Sequence, residues 1–114
     1  MKTVFTILLA LGITGITQVS ATDSCTTWGC FAKVTELYTN ANANIYVRTD
    51  GDESKANCTL YGGAYFVLKA DAKNKDLVYS SLLAAHMANK KIQIRIAENT
   101  PDCQISYVSL KESL

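Results

Sequence analysis

Residues 76–96 read DLVYSSLLAAHMANKKIQIRI, and a change of period inside this stretch decides the fold class. From Leu77 to Asn89 strong helix formers dominate, proline and glycine are absent, and Asp76 stands where an N-cap side chain is wanted. Asn89 tolerates the left-handed turn that ends a helix, and Lys90 and Lys91 suit the negative end of its dipole. Ile92, Ile94 and Ile96 then alternate with Gln93 and Arg95, the period of a half-buried strand. One helix therefore runs directly into a strand.

Upstream of the helix the chain reads as three strands. In the first, Phe31 to Tyr38, the apolar positions Ala32 and Val34 slip by one residue to Leu37, which predicts a bulge or strong bend. The polar stretch 39–44 is a turn region. Ile45 and Val47 alternate with Tyr46 and Arg48 in the second strand, which ends in the turn 49–54. The third runs from Leu60 to Lys69, with Phe66 and Leu68 on one face, Tyr65, Val67 and Lys69 on the other, and Gly62-Gly63 permitting a sharp bend. Downstream, residues 98–102 form a turn and Gln104 to Leu110 a last strand. Three strands, a helix and two strands is the order of the OB-fold, a five-stranded barrel. An open antiparallel sheet with one packed helix satisfies the same order.

Further out, Met1 to Ala21 has the parts of a cleavable secretory signal. Lys2 is its only charge, Val4 to Ile16 its apolar centre, and Val19-Ser20-Ala21 places small residues before a cut after Ala21. The apolar run is shorter than the roughly 20 residues a membrane-spanning helix needs, so no stable membrane span is expected. Residues 22–114 are then one exported domain, periplasmic or secreted. Without Lys2 its ten basic residues equal its ten acidic ones. No block of like charge occurs along the chain, which argues against a nucleic-acid partner.

Cys25, Cys30, Cys58 and Cys103 all lie in that domain, and an even count in a small exported chain indicates bridges. Three connectivities are possible. The short spacing of Cys25 and Cys30 favours a local loop, leaving Cys58 to pair with Cys103. With one histidine and no second close cysteine pair, zinc spacing is poor, and no metal or other cofactor is implied. The acidic run after Asp50 starts like a calcium loop but puts Lys55 where that loop needs glycine and Tyr61 where it needs glutamate. Asn57-Cys58-Thr59 fits a glycosylation sequon, a match that carries no meaning if Cys58 is bridged and the source is bacterial, as the signal suggests. His86 has no nucleophile or acid that the sequence places beside it, and no serine sits in a nucleophile-elbow motif, so no catalytic constellation is found.

Two surfaces stand out. The helix is apolar nearly all round: Val78, Tyr79, Leu82 and Leu83 fill one arc, while Leu77, Ala84, Met87 and Ala88 lie opposite and offer a face for a second subunit. Tyr46, Arg48, Tyr65 and Lys69 point outward from strands two and three, with Trp28 near in sequence. Rings that stack on a pyranose, beside cationic donors, are what sugar recognition needs.

In strand order, in the pair Cys58 and Cys103, and in the helix from Leu77 followed by Ile-Gln-Ile-Arg-Ile, the chain resembles the B subunits of bacterial AB5 toxins from about Cys30 to Leu110. That resemblance implies a small exported OB-fold protein whose helix packs around the centre of a ring. The function expected is a non-enzymatic, oligomeric module binding a glycan or another surface ligand. An inhibitor or immunity-type protein docking on one protein partner is the alternative.

Overall fold

The computed structural model describes residues 24–114; the expected signal segment and its cleavage point lie outside them. The fold is an antiparallel sheet with a single α-helix. Its organising strand is β2 (Gly29–Thr39), which pairs along its first half with β5 (Lys91–Ile96) and along its second with β3 (Ile45–Thr49). One long strand serves two partners because its register shifts between Val34 and Glu36, at the position where the apolar period slips. The bulge lets β2 bend from one partner to the other. β4 (Phe66–Leu68) adds to β3, and β6 (Ile105–Ser109) to β5, giving the order β4-β3-β2-β5-β6. The edge strands approach one another at one place, where Val67 pairs in parallel with Gln104 and its N–H donates to the Cys103 carbonyl at 3.1 Å.

A short strand, β1 (Cys25–Thr26), was not expected; it makes a hairpin with β2 in which Cys25 faces Cys30. Both bridges form with the expected pairing, Cys25 to Cys30 and Cys58 to Cys103. The third expected strand shrinks to Phe66–Leu68, because Gly62 and Gly63 adopt φ of +59° and +74° and turn the chain back on itself before it.

The helix α1 (Lys75–Met87) starts earlier than its sequence suggests. Asn74, not Asp76, is the N-cap residue, and its amide is engaged elsewhere, donating to the Ser106 carbonyl at 3.0 Å. Asp76 lies instead in the first turn, where a carboxylate suits the dipole. At the other end Asn89 takes φ +55°, the left-handed turn anticipated for it.

Val78, Leu82 and Ala85 of α1 sink into a core formed by Ala32, Val34, Ile45, Val47, Phe66, Leu68, Ile92, Ile94, Ile96 and Ile105. Leu83, expected in that arc, is exposed. The helix turns its Ala85 line inward, so Leu83 lies on the rim. No described helix is long and apolar enough to cross a membrane.

Candidate functional site

Four tyrosines gather on the face of β3 and β4 turned away from the core. Tyr38 on β2 is the direct cross-strand partner of Tyr46 on β3, and their rings stack 4.7 Å apart and 16° from parallel. Tyr61 arrives from the loop before β4. The Gly62-Gly63 reversal brings Tyr61 opposite Tyr65 with two backbone hydrogen bonds, 3.0 and 3.1 Å, and sets its ring 4.8 Å from that of Tyr46. Tyr65 meets Tyr38 edge to face at 5.4 Å. Such ring pairs contribute roughly 0.5–1.5 kcal/mol each beyond their buried area.

The polar groups around these rings are oriented. Tyr65 donates its hydroxyl to Glu36 Oε1 at 3.2 Å, Asn40 Nδ2 donates to the Tyr46 hydroxyl at 2.9 Å, and the Arg48 guanidinium lies 5.8 Å from the Tyr65 ring centre. Tyr46, 4 % exposed, is the floor, and Tyr38 and Tyr61, 39 % and 43 % exposed, are the walls. Two accessible rings flanking a buried one, with a guanidinium, a carboxylate and an amide in reach, can stack on a flat apolar ligand face while bonding hydroxyls at its edge.

Of the five residues expected at a ligand face, Tyr46, Arg48 and Tyr65 come together. Tyr46 is not outward and free as its alternation implies, because three other tyrosines cover it. Lys69 pairs with Asp102 at 3.7 Å. Trp28 stands apart, at the β1–β2 turn, where the Arg95 guanidinium lies 5.2 Å from its ring and 5.9 Å from that of Tyr107. Tyr38, Tyr61, Glu36 and Asn40 were missed. Tyr38 was legible in principle, since continuing the bulged period past Leu37 turns it outward; Tyr61 carries no such signal.

The crowding of phenols has an electrostatic consequence. Burial, followed by the neighbouring Tyr65 and Tyr46, raises the pKa of Tyr38 above 10.0, and for Tyr61 the leading cause is a second negative phenolate beside Tyr46. The unfolded chain ionises these groups first. Their contribution to stability is therefore complete below pH 10 and declines as pH rises through the elevated native values. In an alkaline titration followed by tyrosinate absorbance, part of the native signal is expected at higher pH than in the urea-unfolded protein; coincident curves would deny the cluster.

The remaining candidates resolve structurally. His86 Nδ1 lies 2.7 Å from the Val34 carbonyl, so an Nδ1–H tautomer pins α1 to the bulge of β2. The acidic run after β3 serves its own backbone. Asp50 accepts from Lys33 N–H, Asp52 from Ser54, and the buried Glu53 from Thr49 N–H at 2.6 Å. Among the described residues no three His, Cys, Asp or Glu side chains converge on a metal position. Asn57 donates to Glu98 Oε1 at 3.1 Å. On α1, Leu77 and Met87 are 75 % and 77 % exposed, and Ala84 and Ala88 are exposed beside them.

Comparison with protein-family models, curated proteins and solved structures finds no match to the chain.

Proposed function

We propose that the chain is an exported, non-enzymatic recognition module that binds a glycan at the tyrosine cluster. The cluster carries this reading: Tyr38 and Tyr61 present accessible ring faces on either side of Tyr46, and Arg48, Glu36 and Asn40 supply the polar contacts that sugar hydroxyls need. We read the sheet as an OB-type barrel. In support stand the strand order, the helix between β4 and β5, and the Val67 to Cys103 hydrogen bond between the two edges. A barrel's strand face is a common place for ligands in that fold, and the two bridges suit an oxidising compartment.

A glycan array probed with the wild-type protein, repeated with Tyr61→Ala, tests the site. Loss of one stacking ring should weaken the best-bound glycan by about tenfold, from roughly 1–1.5 kcal/mol of ring contact. Equal binding by the variant would remove the tyrosine face from the account.

The exposed side of α1 supports self-association. Leu77 and Met87 offer apolar area, and Ser80, Ala84 and Ala88 are small enough for a second helix to approach closely. A second copy of the chain is the occupant proposed, in a ring of the toxin B-subunit kind. Light scattering should give a multiple of the monomer mass, reduced to one by Leu77→Lys with Met87→Glu. A monomeric wild type that captures one stoichiometric protein partner would favour the inhibitor or immunity-type reading instead.

A further inference from the structure

At the far end of β3 from Tyr46, the fold gathers lysines that are scattered in the chain. Lys33 of β2, Lys90 and Lys91 at the start of β5, and Lys111 after β6 line one open cleft of about 740 Å³, with Asn89, Leu110 and Glu112. Four lysines share this lining with one glutamate. Among the described residues no ion pair joins any of the four to an acid. Lys33 and Lys91 are moreover direct cross-strand partners, so their side chains leave the sheet on the same side. Like charges placed opposite each other destabilise a sheet, and the last turn of α1 beside them cannot absorb four cations. A domain with equal numbers of acidic and basic residues has thus concentrated excess positive charge at one place, where the Phe31 ring, 5.7 Å from Lys91 Nζ, and the end of α1 meet only part of it.

We infer that this lysine cleft is a binding site for a polyanionic polysaccharide, one whose repeating sulfate or carboxylate groups bridge Lys33, Lys91 and their neighbours. The cations are all lysines. Ammonium groups act as separate point charges and suit a run of hydrated anions, whereas planar bidentate recognition calls for arginine. The cleft is open enough for a linear chain to cross. Leu110 is its one large apolar lining residue, too little for insertion into a bilayer. The two disulfides suit an oxidising compartment, where polysaccharide is met more readily than nucleic acid.

The test is calorimetric titration of the intact exported protein with a sulfated heparin octasaccharide. Parallel arms use an unsulfated hyaluronan octasaccharide, single-stranded DNA of matching charge, and anionic phosphatidylserine vesicles. Binding of heparin is expected, weakening at least about tenfold as salt rises from roughly 0.05 to 0.5 M. Lys33→Gln with Lys91→Gln should lose at least tenfold in affinity while melting within a few degrees of wild type, since relief of the like-charge pair offsets the lost contact of Lys91 with the Phe31 ring. Lys73→Gln, exposed outside the cleft, should bind as wild type does. Hyaluronan binding comparable to heparin would assign carboxylates as sufficient. Absence of heparin binding, an unaffected double variant, or equal binding of DNA or vesicles would overturn the proposal.

Discussion

Replacing Cys58 and Cys103 together by alanine is expected to remove about 4 kcal/mol of stability. The bridge joins residues 45 apart, and closing a loop of that length removes far more freedom from the unfolded chain than from the native one. The native state has further reason to need it. Cys103 is fully buried, its carbonyl receives the Val67 N–H that links the two edge strands, and its φ of +44° is unusual for a residue with a side chain. A domain this small gains only a modest margin from its core. The loss corresponds to a fall in Tm of roughly 15–30 °C, measurable by circular dichroism. A fall of less than about 5 °C would mean that the unfolded chain is already restrained in that region or that the edges hold together without the bridge.

Gly29→Ala is the second large effect expected. Gly29 ends the β1–β2 turn at φ +138°, a conformation side chains rarely adopt, and a Cβ there would lie 2.0 Å from the Ile94 carbonyl oxygen. That neighbour is backbone, held in the β2–β5 ladder, and cannot rotate aside. Backbone strain and overpacking together give a cost of roughly 3–5 kcal/mol. Gly62→Ala is the control. Its φ of +59° also disfavours a side chain, but nothing lies within 4 Å of the added atom, so about 1 kcal/mol is expected. Urea unfolding of both variants distinguishes close approach from conformational strain: similar losses would show that the Ile94 contact is not limiting.

These two sites also mark where sequence reading worked and where it failed. The Cys58–Cys103 pairing, the helix-to-strand switch after Asn89 and the slip in β2 were all legible, because each leaves a local trace in spacing or period. The β1–β2 hairpin was not, since Thr27-Trp28 is no familiar turn pair and only the pairing of Cys25 with Cys30 discloses it. Propensity points to Asp76 as the helix cap, but Asn74 begins the helix while its side chain reaches β6. Tertiary contact overrode local preference there.

The candidate site was half visible. Alternation put Tyr46, Arg48 and Tyr65 on one face, yet it could not say that Tyr46 would be roofed by Tyr38 and Tyr61. Tyr61 reaches the cluster through a glycine reversal whose direction no periodicity encodes. Nearness along the chain groups Trp28 with the tyrosines, but it belongs with Arg95 and Tyr107 on a separate surface. The lysine cleft leaves no charge block in the sequence for the same reason: β2, β5 and the segment after β6 converge only once the sheet is assembled.

The most direct measurement of the central claim follows the aromatic ring signals of the protein by NMR during titration with its best-bound array glycan. The tyrosine-face account predicts that Tyr38, Tyr61 and Tyr65 shift together with one saturation curve while Trp28 and Tyr107 stay in place. Shifts confined to Trp28 and Tyr107, or no ring shift at saturating glycan, would contradict it.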